Sequence, residues 1–147
     1  MGDNKTRSIG EKRNNLITLA KGDYVVFIDD DDMVSDDYVE LMLAAQRNKP
    51  DVITFQSEYT EDGRNPKPVY YDIKFQRDVD HKDSFDRMPD QKCCWRREIA
   101  EKIGFINANM FEDRKFAMGA CKLAHTQAKI NKTIYFHQFN SEISESG

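Results

Sequence analysis

Four consecutive carboxylates, Asp29 to Asp32, follow directly on the apolar run Tyr24-Val25-Val26-Phe27-Ile28, and a second acidic pair, Glu112-Asp113, lies far downstream. Carboxylates about 4 Å apart repel by roughly 1 kcal/mol in water and several times more near a protein surface. A hard divalent cation with oxygen ligands, Mg²⁺ or Mn²⁺, would relieve that repulsion. Such ions often bind through one or two carboxylates together with substrate phosphates. A solvated acidic loop that caps the next helix is the plainer alternative. The acids alone leave the two open.

The flanking elements give the cluster a place. Tyr24 to Ile28 are β-branched or aromatic with no polar alternation, the pattern of a strand buried on both faces of a parallel sheet. In open α/β sheets ligands bind beyond the carboxyl ends of strands, where these acids fall. Upstream, Ser8-Ile9-Gly10-Glu11 has the form of a capping box and predicts a helix start. Ile9, Leu16, Ile17 and Ala20 lie on one side of that helix, with Gly22 as its C′ residue. Lys12 and Arg13 in its first turn oppose the helix dipole; two cations beside free backbone N–H groups suit a phosphate, while solvated basic residues are the plainer reading of the pair alone.

Downstream, Ser35 precedes Asp36 and Asp37 as an N-cap with acids in the first turn. That helix continues through Tyr38, Leu41, Met42 and Ala45 to end at Lys49-Pro50. Asp51 to Phe55 reads as another strand, so the order helix, strand, helix, strand is an α/β pattern. Val69, Tyr71, Ile73 and Phe75 then alternate with polar neighbours after the turn cluster Glu61 to Asn65, which predicts a β-hairpin. Gln76 to Lys92 is polar, aperiodic and long for a connection, as functional or mobile loops are. Trp95 closes it as a core or wall residue. A short helix from Arg96 to Ile103 ends at Gly104, and the segment to Met110 is irregular. Glu112-Asp113 open a longer helix whose buried stripe is Phe116, Ala117, Ala120, Leu123 and Ala124. Lys132 to Phe139 reads as the last strand, and 141–147 as a flexible tail.

Composition bounds the function. The 147 residues amount to one domain, 1–147, and a net charge of −4 provides no general basic footprint for nucleic acid. There is no apolar run of membrane-spanning length and no apolar leader, so the expected compartment is the cytoplasm. Three cysteines make neither a disulfide framework nor a metal pair and read as reduced thiols.

Taken in order, SIGEKRN, AKGDYVVFIDDDD, CWRREIAEKIGF and FEDRKFA resemble the family 2 inverting glycosyltransferases of the GT-A fold, over Asp3 to Asn140. The resemblance implies an α/β, GT-A-like (Rossmann-like) mixed sheet flanked by helices, truncated at the N-terminus by the lack of the first strand and helix. It implies metal-dependent transfer of a sugar from a nucleotide-diphosphate sugar, a UDP-sugar, to an acceptor hydroxyl with inversion. Mn²⁺ or Mg²⁺ is the implied cofactor. By the same resemblance Asp3 contacts the nucleoside, and Lys12, Arg13, Asn14, Asp29 and Asp30 belong to the nucleotide-sugar site. Asp31 is the first metal ligand, with Asp29 and His137 as further candidates. Asp113 is the catalytic base, with Glu112 beside it. The 76–92 loop and Trp95 fall where the acceptor enters, and a glycan, a lipid-linked sugar or a modified base would all be compatible. The early start implies a possible partner chain that supplies the missing strands. The alternative is a non-catalytic nucleotide- or metal-binding remnant, or one part of a split glycosyltransferase. FIDDDD also resembles the haloacid dehalogenase motif, but Met33 stands where Thr or Val is expected. An EF-hand fails for want of its central Gly and final Glu.

Overall fold

The second strand of the predicted α/β unit turns out to be the one on which the others assemble. The computed structural model describes residues 8–105 and 112–140. In β3 (Val52–Glu61) the residues Val52, Ile53, Thr54 and Phe55 are all buried, as a strand covered on both faces requires. β7 (Cys94–Arg96) pairs antiparallel with its start and β4 (Arg64–Tyr71) antiparallel with its second half. Along the opposite edge β8 (Gln127–Phe139) runs parallel to it from Val52 to Glu61. β1 (Tyr24–Val25) lies antiparallel outside β7, and β2 (Met33–Val34) antiparallel outside β8. β6 (Phe85–Arg87) and β5 (Val79–Asp80) extend the sheet beyond β4. The result is the expected mixed α/β sheet with flanking helices.

Helices cover both faces. Trp95 is in register with Val52, and its ring meets Phe116 of α4 (Glu112–Leu123) edge to face at 5.7 Å. Phe55, of opposite parity along β3, meets Tyr38 of α2 (Tyr38–Ala45) at 6.5 Å. α1 (Ile9–Leu19) and α3 (Arg97–Ile103) pack with α4. The stripe expected for α4 is largely confirmed, with Phe116, Ala117, Ala120 and Ala124 buried.

Several local expectations are met for local reasons. Ser8 Oγ accepts from Glu11 N–H at 3.1 Å, which caps α1 as its sequence implies. The β3–β4 hairpin turns through Asp62 (φ 52°) and Gly63 (φ 74°), the paired left-handed conformations of a tight hairpin. Gly104 (φ 62°) ends α3.

Others are corrected. The run Tyr24–Ile28 is not buried on both faces: only Tyr24 and Val25 form a ladder, and Ile28 is 44% exposed. Beyond them Phe27 N–H donates to Gln91 O at 3.0 Å, and among the described residues β1 has no partner on its outer side. Gly22 takes no left-handed conformation, because α1 already stops at Ala20, whose N–H bonds to Ile17 and Leu16 carbonyls. Leu16 is 56% exposed and the helix buries Gly10 and Ile17 instead. Ser35 does not cap α2: its hydroxyl donates to Asp37, and both Asp36 and Asp37 precede the helix. The loop 76–92 contains β5 and β6, and β8 begins at Gln127 rather than Lys132. The segment 106–110 and the tail from Ser141 lie outside the described residues.

Phe116 is 1% exposed between Trp95 and Phe105, whereas Leu19 is 72% exposed at the end of α1. Phe116→Ala is expected to lower stability by about 3–5 kcal/mol, and Leu19→Ala by less than about 0.5 kcal/mol. Urea unfolding midpoints of the two variants check the contrast.

Candidate active site

The four acids divide into an outward and an inward set. Asp32 N–H donates to Asp29 O at 3.0 Å, closing a turn with Asp30 and Asp31 at its exposed tip. The Asp32 side chain is wholly buried. It accepts from Tyr135 Oη at 2.5 Å and from Gln138 N–H at 3.1 Å, and His137 Nδ1 stands 3.2 Å away. Burial alone would raise this carboxyl's pKa, but the bonds from His137, Tyr135 and Gln138 outweigh it and hold the pKa below the usual value. Tyr135 Oη also receives Asp29 N–H at 3.4 Å, so one phenol holds both ends of the turn.

α1 contributes Arg13 and Asn14. The Arg13 guanidinium lies over the rings of Phe27 and Phe105, 5.8 and 5.5 Å from their centroids, with Nη2 3.7 Å from Asp29 Oδ1. Asn14 uses both ends of its amide on one residue, donating to Phe105 O and accepting from Phe105 N–H, each at 2.7 Å. A Cβ on Gly104 would sit 3.2 Å from Asn14 Oδ1, in addition to its positive φ, so glycine is required beside this clamp. The amide expected at the nucleotide sugar is therefore engaged in the fold: it pins the backbone at Phe105, just past α3.

Asp113, in the first turn of α4, lines two cavities of about 390 and 470 Å³. Asp78 and Asp90 line both with it, and Lys92 and His137 line the larger. Asp90 is held by its neighbours: Trp95 Nε1 donates to its carbonyl at 2.7 Å and Lys92 N–H to its Oδ1 at 2.9 Å. Trp95 itself is 1% exposed. Buried behind the wall, it offers no ring to an acceptor and acts by fixing Asp90, a correction to its expected place at the acceptor.

His137 joins the two halves. Its Nδ1 faces Asp32 of the turn while its ring lines the Asp113 cavity, stacked on Tyr59 at 5.3 Å. Lys92 Nζ lies 3.2 Å from the same Nδ1. Glu112 is the first residue of α4, Lys12 lies in the first turn of α1, and Asp3 falls outside the described residues. Sequence reasoning did not single out Asp78, Asp90, Lys92 or Tyr135. The first three lie in or at the end of the long 76–92 loop, whose length was the signal available.

Among the described residues no helix is long and apolar enough to cross a membrane. The sequence model of glycosyl transferase family 2 matches residues 3–113. The chain belongs to that family. A relative, the glycosyltransferase EpsH of Bacillus subtilis (strain 168), is 31% identical over 62 residues, 41% of this chain and 18% of EpsH. The fold is that of Staphylococcus aureus TarS: residues 1–349 of TarS superpose with a TM-score of 0.68 at 21% identity, over 89% of this chain and 40% of that one. The same values hold for TarS 1–349 in complex with UDP. The chain thus spans less than half the length of the relatives it matches.

The donor set suits a hard cation only in part. Among the described residues no three His, Cys, Asp or Glu side chains stand together as a metal site. Two carboxylates on one turn, Asp29 and Asp31, fit the mode in which Mg²⁺ or Mn²⁺ takes its other ligands from phosphates and water. At His137 the Lys92 ammonium opposes a second positive charge.

Because the folded Asp32 pKa is lowered, its stabilisation is complete above the unfolded value near pH 4 and fades as pH falls through the folded value. Asp32→Asn should therefore destabilise clearly at about pH 6 and progressively less below about pH 4, read from urea midpoints across that range. Asn14→Ala removes two part-buried bonds and leaves the Phe105 backbone without its partner, with an expected cost of about 1–2 kcal/mol.

Proposed function

We propose that this chain transfers a sugar from a UDP-sugar to an acceptor hydroxyl with inversion at the anomeric carbon. The observation that carries the reading is His137, which touches the acidic turn through Asp32 and lines the cavity of Asp113. A donor-side acid cluster and an acceptor-side carboxylate are thereby only one side chain apart. Family membership and the UDP complex of the structurally similar TarS support the donor class.

Asp29 and Asp31 would hold Mn²⁺ or Mg²⁺, whose charge stabilises the leaving diphosphate. Asp30 shares the exposed tip of the turn, within reach of the donor. Arg13 holds Asp29 in place, and Lys12 adds positive charge at the N-terminal end of the same helix. Asp113 takes the proton of the acceptor hydroxyl as its oxygen bonds to the anomeric carbon and the sugar–phosphate bond breaks. Glu112 adds negative charge beside it. The three cysteines are free thiols, in keeping with a cytoplasmic site of action.

Among the described residues the outer side of β1 is unpaired, which favours a second reading, in which a further chain or segment completes the sheet and this chain alone binds nucleotide without transfer. The two readings separate in one set of measurements. Mn²⁺ with UDP is expected to raise the melting temperature, and Asp31→Asn to remove the metal-dependent part. No shift with any nucleotide diphosphate and metal would defeat the donor assignment. Asp113→Asn should leave that shift intact while sugar transfer, or hydrolysis of the UDP-sugar, falls at least about 100-fold. An equal loss of binding and turnover would make Asp113 a structural cap.

A further inference from the structure

The larger cavity beside Asp113 is built for a particular chemistry. Its volume of about 470 Å³ is within the usual range for small-molecule sites. Among the described residues five carboxylates line it, Glu61, Asp78, Asp80, Asp90 and Asp113, against two cations, Arg87 and Lys92. Both cations are already engaged. Arg87 pairs with Asp80 at 2.7 Å, donates to Asp86 O at 3.0 Å and lies 4.9 Å from the Phe85 centroid. Lys92 lies against His137 Nδ1 and 5.8 Å from the Tyr135 ring centroid.

A phosphate or carboxylate placed here would meet more carboxylates than cations among the described lining residues. A long alkyl chain would strip water from charged groups and return no hydrogen bonds. Hydroxyl groups, by contrast, donate to carboxylates. Asp90 is the best placed acceptor. Its carboxylate stands beside Asp113 on both cavity walls, oriented by Lys92 N–H on one oxygen. Burial raises its pKa, Lys92 lowers it, and the charges of Asp113 and Asp78 push it up again, leaving it raised. Sugar hydroxyls would relieve that crowding.

Resting on the glycosyltransferase reading, we propose that this cavity holds a neutral sugar of the acceptor, and that Asp90 binds a hydroxyl neighbouring the one presented to Asp113. Asp90 is a specificity-determining residue: it selects an uncharged polyol over an anionic or a lipid acceptor.

Saturation-transfer NMR on the whole chain, with UDP and Mn²⁺ present, tests this. The probes are a panel of neutral methyl glycosides, the matching sugar phosphates and uronates, and 1-octanol. At least one neutral glycoside should receive saturation, the anionic sugars and octanol none. Asp90→Asn keeps an oxygen for Lys92 N–H and should weaken glycoside binding about tenfold or more while the UDP signal is unchanged. Binding of an anionic sugar or octanol as tight as that of the best neutral glycoside overturns the proposal. So does glycoside binding that Asp90→Asn leaves intact, or a UDP signal with no glycoside bound. A missing UDP signal in the unaltered chain overturns instead the donor reading beneath it.

Discussion

The carboxylate of Asp32 lies fully inside the protein, and an unpaired charge there would cost several kcal/mol. Tyr135, His137 and the Gln138 N–H are the groups that make it tolerable, and all three belong to β8. The acidic turn therefore has the shape it has because β8 is already in register beside β3. Slipping β8 by one residue would put Tyr135 on the opposite face. Asp32 would lose its partners, and Asp29 to Asp31 would lose the anchor that projects them outward.

A chain of aromatic rings does for the helices what Asp32 does for the turn. Trp95 on the sheet meets Phe116 of α4, which stacks on Phe105 at 4.5 Å, which in turn meets Phe27 at 5.7 Å beside the acids. Arg13 closes the series over Phe27 and Phe105, its charge shared between the ring faces and Asp29. Sheet, α4 and acidic turn are thus parts of one packed body, within which a guanidinium can be kept 14% exposed.

What could be read from the sequence was what depends on near neighbours. Ser8 and Glu11 make their bond within one helical turn, and Asp62-Gly63 name their own backbone conformation. The Phe116 to Ala124 stripe needs only helical periodicity, and the order of motifs placed the chain in its family. What could not be read depends on partners far along the chain. Asn14 meets a residue ninety-one positions away, and nothing in its surroundings marks it as a clamp. Four identical acids carry no sign of which one turns inward; only the turn geometry and Tyr135 decide it. The strand at Tyr24 reads as central because its residues are apolar, yet edge or centre is a property of its neighbours. Trp95 and Asp90 are legible only together, since the buried ring explains the fixed carbonyl and the fixed carbonyl orients the acid.

Adjacent residues of α1 hold two segments that are far apart in the chain. Arg13 touches Asp29 of the acidic turn, while Asn14 grips the backbone at Phe105, just past α3. That gives α1 the function of a gauge block. The separation between the acidic turn and Phe105 is set by two consecutive side chains on one helix. Residues beyond the turn and beyond Phe105 can then change without altering that distance.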